Sequence, residues 1–201
     1  MHFEENYTYH IYNRSNEIVF KRDYNYSFFL EKFKKHILPF AGVLAYCLMP
    51  NHFHIMVQVN AEGTKPSDEQ YRNKTQLLSK NIGLLLSSYT QAINKQENRK
   101  GSLFAHKTIA KQLNNFGEYN EVSQNDYSLT CFNYIHQNPI NSEIVNKIED
   151  WDFSSFKDFA GIRKSNIINM ALAIELLNLD LSNFTSILKK NLKEEDIKMI
   201  F

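Results

Sequence analysis

Cysteine is scarce in this chain, and its scarcity excludes two kinds of site. The 201 residues include only two cysteines, Cys47 and Cys131, which lie far apart and form no Cys-x-x-Cys pair. The sequence therefore predicts neither a zinc ribbon nor a framework of disulfide bonds.

Long apolar runs and an excess of charge of one sign are also missing. No apolar segment reaches the roughly 18 residues of a membrane-spanning helix, and the polar start MHFEENYTYH lacks the pattern of a signal peptide. These absences predict a cytoplasmic protein with no membrane partner. The net charge is +1, so binding to a nucleic acid would depend on a local basic patch.

The composition is that of a globular protein, with 43% hydrophobic and 22% charged residues. A chain of 201 residues is long enough for one domain with a real hydrophobic core, with or without an appendage. No internal repeat and no low-complexity tract interrupts it. We therefore expect one main domain.

Hydrophobic periodicity predicts the order of the secondary-structure elements. Alternating or continuous apolar runs predict strands at residues 7–15, 41–49, 52–59 and 103–113. Apolar residues at helical spacing predict helices at residues 25–38, 75–96 and 126–139, the last of them stopped by Pro139. Polar loops are expected at residues 60–74 and 114–125. A Lys-rich helical tail is expected from about Asn166 onward.

The resulting order β-α-β-β-α-β, followed by further helix, is the ferredoxin-like arrangement. We therefore predict an α+β fold in which an antiparallel sheet carries its helices on one face, with a C-terminal helical extension. The second and third strands are separated only by Pro50 and Asn51, which predicts a tight hairpin.

Two histidines lie in the second apolar strand of that hairpin, HFHIMVQV. Residues two apart in a strand share a face, so His52 and His54 are expected on one side and Phe53 on the other. Two neutral imidazoles placed in this way can bind one divalent metal ion. The alternative is a pair of ordinary histidines at the surface of the sheet.

The third predicted helix offers a further ligand and a phenol. Tyr134 and Asn138 are four residues apart in NYIHQNP and therefore lie on one helical face. The Asn138 amide oxygen would complete a His-His-Asn set suited to Mg²⁺ or Mn²⁺, with Tyr134 beside the metal. Half-buried packing is the alternative for a helical tyrosine. Four further histidines are predicted to be ordinary structural residues: His10, His36, His106 and His136.

Taken together, these motifs resemble those of the single-tyrosine transposases with a His-hydrophobic-His motif, in the branch called REP-associated tyrosine transposases. The matching stretches are YHIYNRSNEIVF, LAYCLMPNHFHIMVQV, GSLFAHK, FNYIHQNPI and DWDFSSFKDFAG, in that order. They cover the chain from about Tyr9 to Gly161, whereas residues 60–74 and the tail after Ile162 carry no signal of the family.

The resemblance implies a transposase that cuts and rejoins single-stranded DNA near hairpins, without an external source of energy. It implies that His52 and His54 are ligands of Mg²⁺ or Mn²⁺, with Asn138 where relatives have the Gln or Asn that completes the site. It also implies that Tyr134 is the nucleophile that joins to a DNA 5′-phosphate. The sequence offers no evident general base, and His136 is only a weak candidate, because a residue two positions beyond Tyr134 on a helix points away from its face.

The resemblance further divides the chain into a single-tyrosine transposase catalytic domain, residues 1–161, and a helical C-terminal extension, residues 162–201. Arg14, in the turn after the first strand, and Lys107 are candidate contacts for DNA phosphates, and ordinary surface positions are the alternative for both. Ser15 stands where the family usually has glycine. Relatives occur as dimers that share active sites and as monomers, so a homodimer is one option.

Two other functions fit the same residues. The first is a domesticated, non-catalytic protein that keeps the fold and binds hairpin DNA. The second is a metal-dependent phosphoesterase that uses the histidine pair to activate water, which would release a free phosphate end and form no covalent adduct. Cleavage of labelled hairpin DNA and a search for an adduct distinguish the three.

Overall fold

The computed structural model of the chain describes residues 1–68, 75–114, 124–184 and 188. The strands in these residues are β1 (Thr8–Arg14), β2 (Ala41–Met49), β3 (His52–Val59) and β4 (Ile109–Gln112). The helices are α1 (Asp23–Ile37), α2 (Ala61–Thr64), α3 (Leu77–Gln96), α4 (Gln124–Asn141), α5 (Phe156–Phe159) and α6 (Met170–Leu177). Short 3-10 helices follow α4 and α6, at Ile148–Asp150 and Leu181–Asn183.

The strands form one antiparallel sheet in the order β2-β3-β1-β4. The predicted α+β class and the β-α-β-β-α-β order of the ferredoxin-like arrangement are therefore confirmed. Strands β2 and β3 are joined by the predicted turn at Pro50 and Asn51. The Pro50 carbonyl accepts hydrogen bonds from the backbone N–H groups of Val19 (2.8 Å) and Phe20 (3.0 Å), which ties this turn to the segment after β1.

The two helices that connect the strands, α1 and α3, cover one face of the sheet. Buried side chains of these helices, such as Phe29 and Tyr89, share a core with Phe53 of β3. Because neighbouring residues of a strand point to opposite faces, His52 and His54 lie on the other face, as the alternation predicts.

Helices α4 and α6 cover that opposite face. The prediction that the helices lie on one face of the sheet therefore holds only for α1 and α3. Cys131 and Phe132 of α4 share a second core with Met49 of β2 and Met56 of β3. Burial on both faces explains why β2 and β3 have nearly continuous apolar sequences, since a sheet with one solvated face would alternate. No helix in the described ranges is long and apolar enough to cross a membrane.

Two predicted boundaries are wrong. The predicted strand at 103–113 is shortened to β4. The residues before β4 are instead bonded to a side chain at the end of β1, because Asn13 Nδ2 donates to Ala105 O (3.1 Å) and Thr108 Oγ1 (2.8 Å). Pro139 does not end α4, which continues to Asn141. A proline so close to the end of a helix removes one helical hydrogen bond without preventing the last turn.

Other predicted segments are described only in part. The predicted loop 60–74 contains the short helix α2, and its residues 69–74 lie outside the described residues. The same holds for residues 115–123 of the second predicted loop and for the Lys-rich residues 189–201. The expected helical tail is represented by α6, and the division of the chain at residue 161 stays a prediction.

His136 fastens α4 to the sheet, in agreement with the structural role predicted for it. Its side chain is fully buried. Nδ1 donates to the Phe132 carbonyl at 2.9 Å, and Nε2 accepts from Ser155 Oγ at 2.8 Å. Ser155 Oγ in turn accepts from the backbone N–H of Tyr46 in β2 at 3.0 Å. This chain of hydrogen bonds connects α4 to β2 and fixes the position of the helix relative to the strand.

We expect the protein to lose stability on acidification because of His136. Burial lowers the pKa of His136 to about 4, whereas the pKa of an exposed histidine is about 6.5. The unfolded chain therefore takes up this proton first, and the free energy of unfolding falls as the pH drops from about 6.5 towards about 4. At about pH 5 the expected loss from this group is about 2 kcal/mol.

Urea denaturation at about pH 8 and about pH 5, applied to the protein and to His136→Gln, measures this loss. The other buried histidines act in both proteins, so the difference between the two isolates His136. The variant is expected to lose less stability between the two pH values, and an equal loss in both would contradict the expectation.

Candidate active site

The β2–β3 hairpin and α4 meet at one end of the sheet and bring four predicted residues together. His52 Nε2 lies 3.4 Å from Asn138 Oδ1. The rings of His52 and His54 are 5.1 Å apart, centroid to centroid. The ring of Tyr134 stands edge-on to His54 with centroids 5.4 Å apart. The candidate ligands and the candidate nucleophile therefore occupy one site, although His52 and Asn138 are 86 positions apart in the chain.

His52 presents a lone pair to Asn138. Its Nδ1 lies 2.7 Å from Asn51 Oδ1, and because an amide oxygen only accepts hydrogen bonds, Nδ1 carries the ring proton. The unprotonated Nε2 then faces Asn138 Oδ1 at 3.4 Å, and two acceptors at this distance repel unless a cation lies between them. Neighbouring ligands of an octahedral ion, each about 2.1 Å from it, are about 3 Å apart, so this pair has nearly the spacing of metal ligands.

The orientation of the Asn138 amide agrees with this interpretation. Asn138 is 4% exposed, and its buried Nδ2 has no hydrogen-bond partner among the residues that the structure describes. The amide directs its oxygen towards the lone pair of His52 and also towards Ser142 Oγ, which donates to it at 3.4 Å. A buried donor like this Nδ2 costs about 1–3 kcal/mol, and a cation held by the oxygen would offset that cost.

The candidate donor set differs from that of a closed zinc site. In the parts of the chain that the structure describes, no group of three or more His, Cys, Asp or Glu side chains is arranged to hold a metal ion. Structural zinc sites use four such ligands. Two imidazoles and one amide oxygen would instead make an open, mixed nitrogen and oxygen set of the kind that Mn²⁺ or Mg²⁺ completes with water or phosphate oxygens.

Both histidines are in the neutral form that metal binding needs. Burial lowers the pKa of His52, and the nearby Asn138 side chain acts in the opposite direction. The pKa of His54 lies well below its usual range, first because of burial and then because of the charges that His10 and His52 would carry. At neutral pH neither ring holds a second proton, so each keeps a nitrogen lone pair.

Tyr134 is a protonated phenol in this environment. Burial raises the pKa of Tyr134, and the nearby Asn138 side chain lowers it to a smaller extent. A protonated phenol is a weak nucleophile at neutral pH. Attack by Tyr134 on a phosphate would therefore depend on positive charge at the phosphate and on close alignment.

A cleft of about 1150 Å³ lies beside the two histidines of β3. Arg14 and Lys107, the two predicted DNA contacts, line it together with His52, His54 and Tyr134. Among the described residues that line the cleft, none is Asp or Glu. The electrostatics of this lining, two cations without a carboxylate, suit the phosphates of a nucleic acid.

His10 is the residue that sequence reasoning missed. The sequence predicts an ordinary histidine here, because His10 has no companion at ligand spacing, yet its Nε2 lies 2.9 Å from His54 Nδ1. The pairing of β1 with β3 places Tyr12 opposite His54, with their rings 5.8 Å apart. His10 lies two residues before Tyr12, on the same face of β1, and therefore comes next to His54. The available signal was the alternation in YHIYNR, which puts His10, Tyr12 and Arg14 on one face of β1.

Comparisons with known proteins support the fold but give no sequence relative. No protein-family model matches the chain, and no curated protein matches it in sequence. A solved structure of a REP-associated tyrosine transposase bound to a REP hairpin is similar to it, with a TM-score of 0.55 and 14% sequence identity. The match covers 84% of this chain and 94% of that chain. At this identity the likeness shows a shared fold, and function has to be argued from the site.

Proposed function

We propose that this protein is a DNA transposase of the REP-associated tyrosine type. It would cleave and rejoin single-stranded DNA beside hairpins through a 5′-phosphotyrosine intermediate, in a metal-dependent reaction. The observation that carries the proposal is the convergence of His52, His54 and Tyr134 in one cleft, with Asn138 Oδ1 3.4 Å from His52 Nε2. The fold that this chain shares with a hairpin-bound transposase supports the choice of substrate.

The proposed chemistry is a transesterification at one phosphodiester. Tyr134 Oη loses its proton as it attacks phosphorus and forms the phosphotyrosine bond. The bond from phosphorus to the 3′-oxygen breaks, and this oxygen takes up one proton and leaves as a 3′-hydroxyl, so the proton lost by the phenol is balanced. One phosphodiester replaces another, so attack by a 3′-hydroxyl on the phosphotyrosine reseals a strand without an external source of energy. A Mg²⁺ or Mn²⁺ ion held by His52, His54 and Asn138 would neutralise and polarise the phosphate.

The chain's own residues would position the reacting groups. Helix α4 carries Tyr134 and Asn138 on one face, and the His136 hydrogen bonds hold that helix against the sheet. The reactive oxygen has to come within about 3–3.5 Å of phosphorus. Arg14 and Lys107 line the cleft, where they would hold phosphates of the strand and so restrict the geometries that the scissile phosphate can adopt.

The proposal is tested with single-stranded DNA that carries the hairpin repeats flanking the gene, incubated with the protein and Mn²⁺. The expected product is a protein–DNA adduct that survives denaturing electrophoresis, together with a free 3′-hydroxyl end. Cleavage with a free phosphate end and no adduct would support the phosphoesterase instead. Binding without cleavage would support a non-catalytic hairpin-binding protein, and absence of both would overturn the proposal.

We expect Arg14→Ala to weaken binding to hairpin DNA and to reduce its salt dependence. Each lost phosphate contact lowers the slope of log K against log salt by about 0.7–0.9, and Lys107→Ala is expected to act in the same way. Lys35→Ala is the matched control, because Lys35 is exposed on α1, which packs on the other face of the sheet. An unchanged salt slope in Arg14→Ala, measured by fluorescence anisotropy, would remove Arg14 from the DNA-binding surface.

A further inference from the structure

We propose that His10 is a positioning residue that fixes the tautomer of His54 and thereby selects the ring nitrogen with which His54 binds the metal ion. This inference rests on the metal site proposed above. It assigns a role to His10, which is not one of the three candidate ligands. It concerns the protein before DNA binds, so it can be tested without the transposition reaction.

The contact between the two imidazoles is well defined. His10 lies in β1 and its side chain is fully buried. Its Nε2 is 2.9 Å from His54 Nδ1, and the two rings have centroids 5.1 Å apart and planes 26° from parallel. Two neutral imidazoles at this distance share one hydrogen, because one nitrogen has to donate and the other has to accept.

The direction of this hydrogen bond decides whether His54 can bind a metal ion in the cleft. If His54 Nδ1 donates to His10 Nε2, then His54 Nε2 keeps its lone pair for the metal. If His10 donates instead, His54 carries its own proton on Nε2, and that nitrogen cannot bind a metal ion. The proposed ligand role of His54 therefore requires His10 to be the acceptor.

His52 supports this assignment by analogy within the same site. Its Nδ1 donates to Asn51 Oδ1 at 2.7 Å, which leaves Nε2 towards Asn138. An acceptor beside the Nδ1 of each candidate ligand, His10 for His54 and Asn51 for His52, is the arrangement by which metal-binding histidines are usually oriented. The ring of His10 also packs beside Tyr12, with centroids 4.9 Å apart. If packing were its only role, a phenylalanine would fill the same space without burying a polar group.

The test combines nuclear magnetic resonance with metal titration. In the metal-free protein above about pH 7.5, where histidines are neutral, ¹⁵N chemical shifts report which nitrogen of His54 carries the proton. The expected result is the Nδ1–H tautomer in the protein. His10→Phe keeps the ring but removes the acceptor, whereas His10→Gln keeps an acceptor oxygen.

We expect His10→Phe to shift His54 towards the Nε2–H tautomer and to weaken Mn²⁺ binding by about 10–100-fold. His10→Gln is expected to restore most of the affinity, which a merely structural role would not explain. His36→Phe is the matched control, because His36 also has one side-chain partner, Asn81 at 3.0 Å, but lies on α1. This control should bind Mn²⁺ as the parent protein does.

Two results would overturn the inference: an Nε2–H tautomer of His54 in the parent protein, or an unchanged Mn²⁺ affinity in His10→Phe. Since the tautomer is read in the parent protein, the test holds even if His10→Phe does not fold. Failure of the proposed function is recognised separately. If Mn²⁺ affinity survives His52→Ala, the metal site itself is wrong, and if the DNA adduct survives Tyr134→Phe, the nucleophile is wrong.

Discussion

Replacing His52 with alanine is expected to weaken Mn²⁺ binding by more than about 100-fold, because the loss of a ligand costs more than the loss of a residue that orients one. His52 supplies the Nε2 lone pair that faces Asn138 Oδ1 at 3.4 Å, and the change leaves only His54 and Asn138 as ligands. His52 is at the edge of the buried region and begins β3, so the variant should fold. Isothermal titration calorimetry with Mn²⁺ measures the effect.

His106→Ala is the control for this measurement, because His106 is exposed and does not line the cleft. It should leave the Mn²⁺ affinity unchanged, and His54→Ala should lower it as His52→Ala does. If His52→Ala binds Mn²⁺ as tightly as the parent protein, the metal is held elsewhere and the assignment of this site is wrong.

Replacing Tyr134 with phenylalanine is expected to abolish the covalent DNA adduct while hairpin affinity stays within about threefold. The substitution removes only the hydroxyl that would attack phosphorus. The ring, which stands edge-on to His54 at 5.4 Å, is kept, so α4 should pack as before. Denaturing gels with labelled DNA measure the adduct, and fluorescence anisotropy measures the affinity.

Two tyrosines serve as controls for that substitution. Tyr127 lies on the same helix and is buried in the second core, so Tyr127→Phe tests the loss of a phenol from α4 in general. Tyr12 lines the same cleft and is the nearest competitor for the role of nucleophile. Both variants should still form the adduct. Loss of the adduct in Tyr12→Phe, with its persistence in Tyr134→Phe, would transfer the role to Tyr12.

The parts of the site that sequence could predict depend on short-range geometry. The period of two in a strand places His52 and His54 on one face, and the i,i+4 relation places Tyr134 and Asn138 on one side of a helix. Both relations hold within one element whatever the rest of the chain does, and the structure shows each of them.

The remaining geometry depends on packing that periodicity does not encode. That α4 lies on the histidine face of the sheet follows from the second hydrophobic core, whose residues come from several segments. The contact of His10 with His54 follows from the register of β1 against β3, because the two histidines are 44 positions apart in sequence. The short extent of β4 likewise depends on side-chain hydrogen bonds from Asn13, which no local pattern signals.

The most direct test of the proposed function is to locate the DNA attachment by tandem mass spectrometry. The protein is incubated with single-stranded hairpin DNA and Mn²⁺, digested with protease and nuclease, and searched for a peptide that carries a nucleotide. The account predicts that Tyr134 is the modified residue and that it is joined to a 5′-phosphate. Attachment at Tyr12 or at any other residue, or a linkage to a 3′-phosphate, would contradict it.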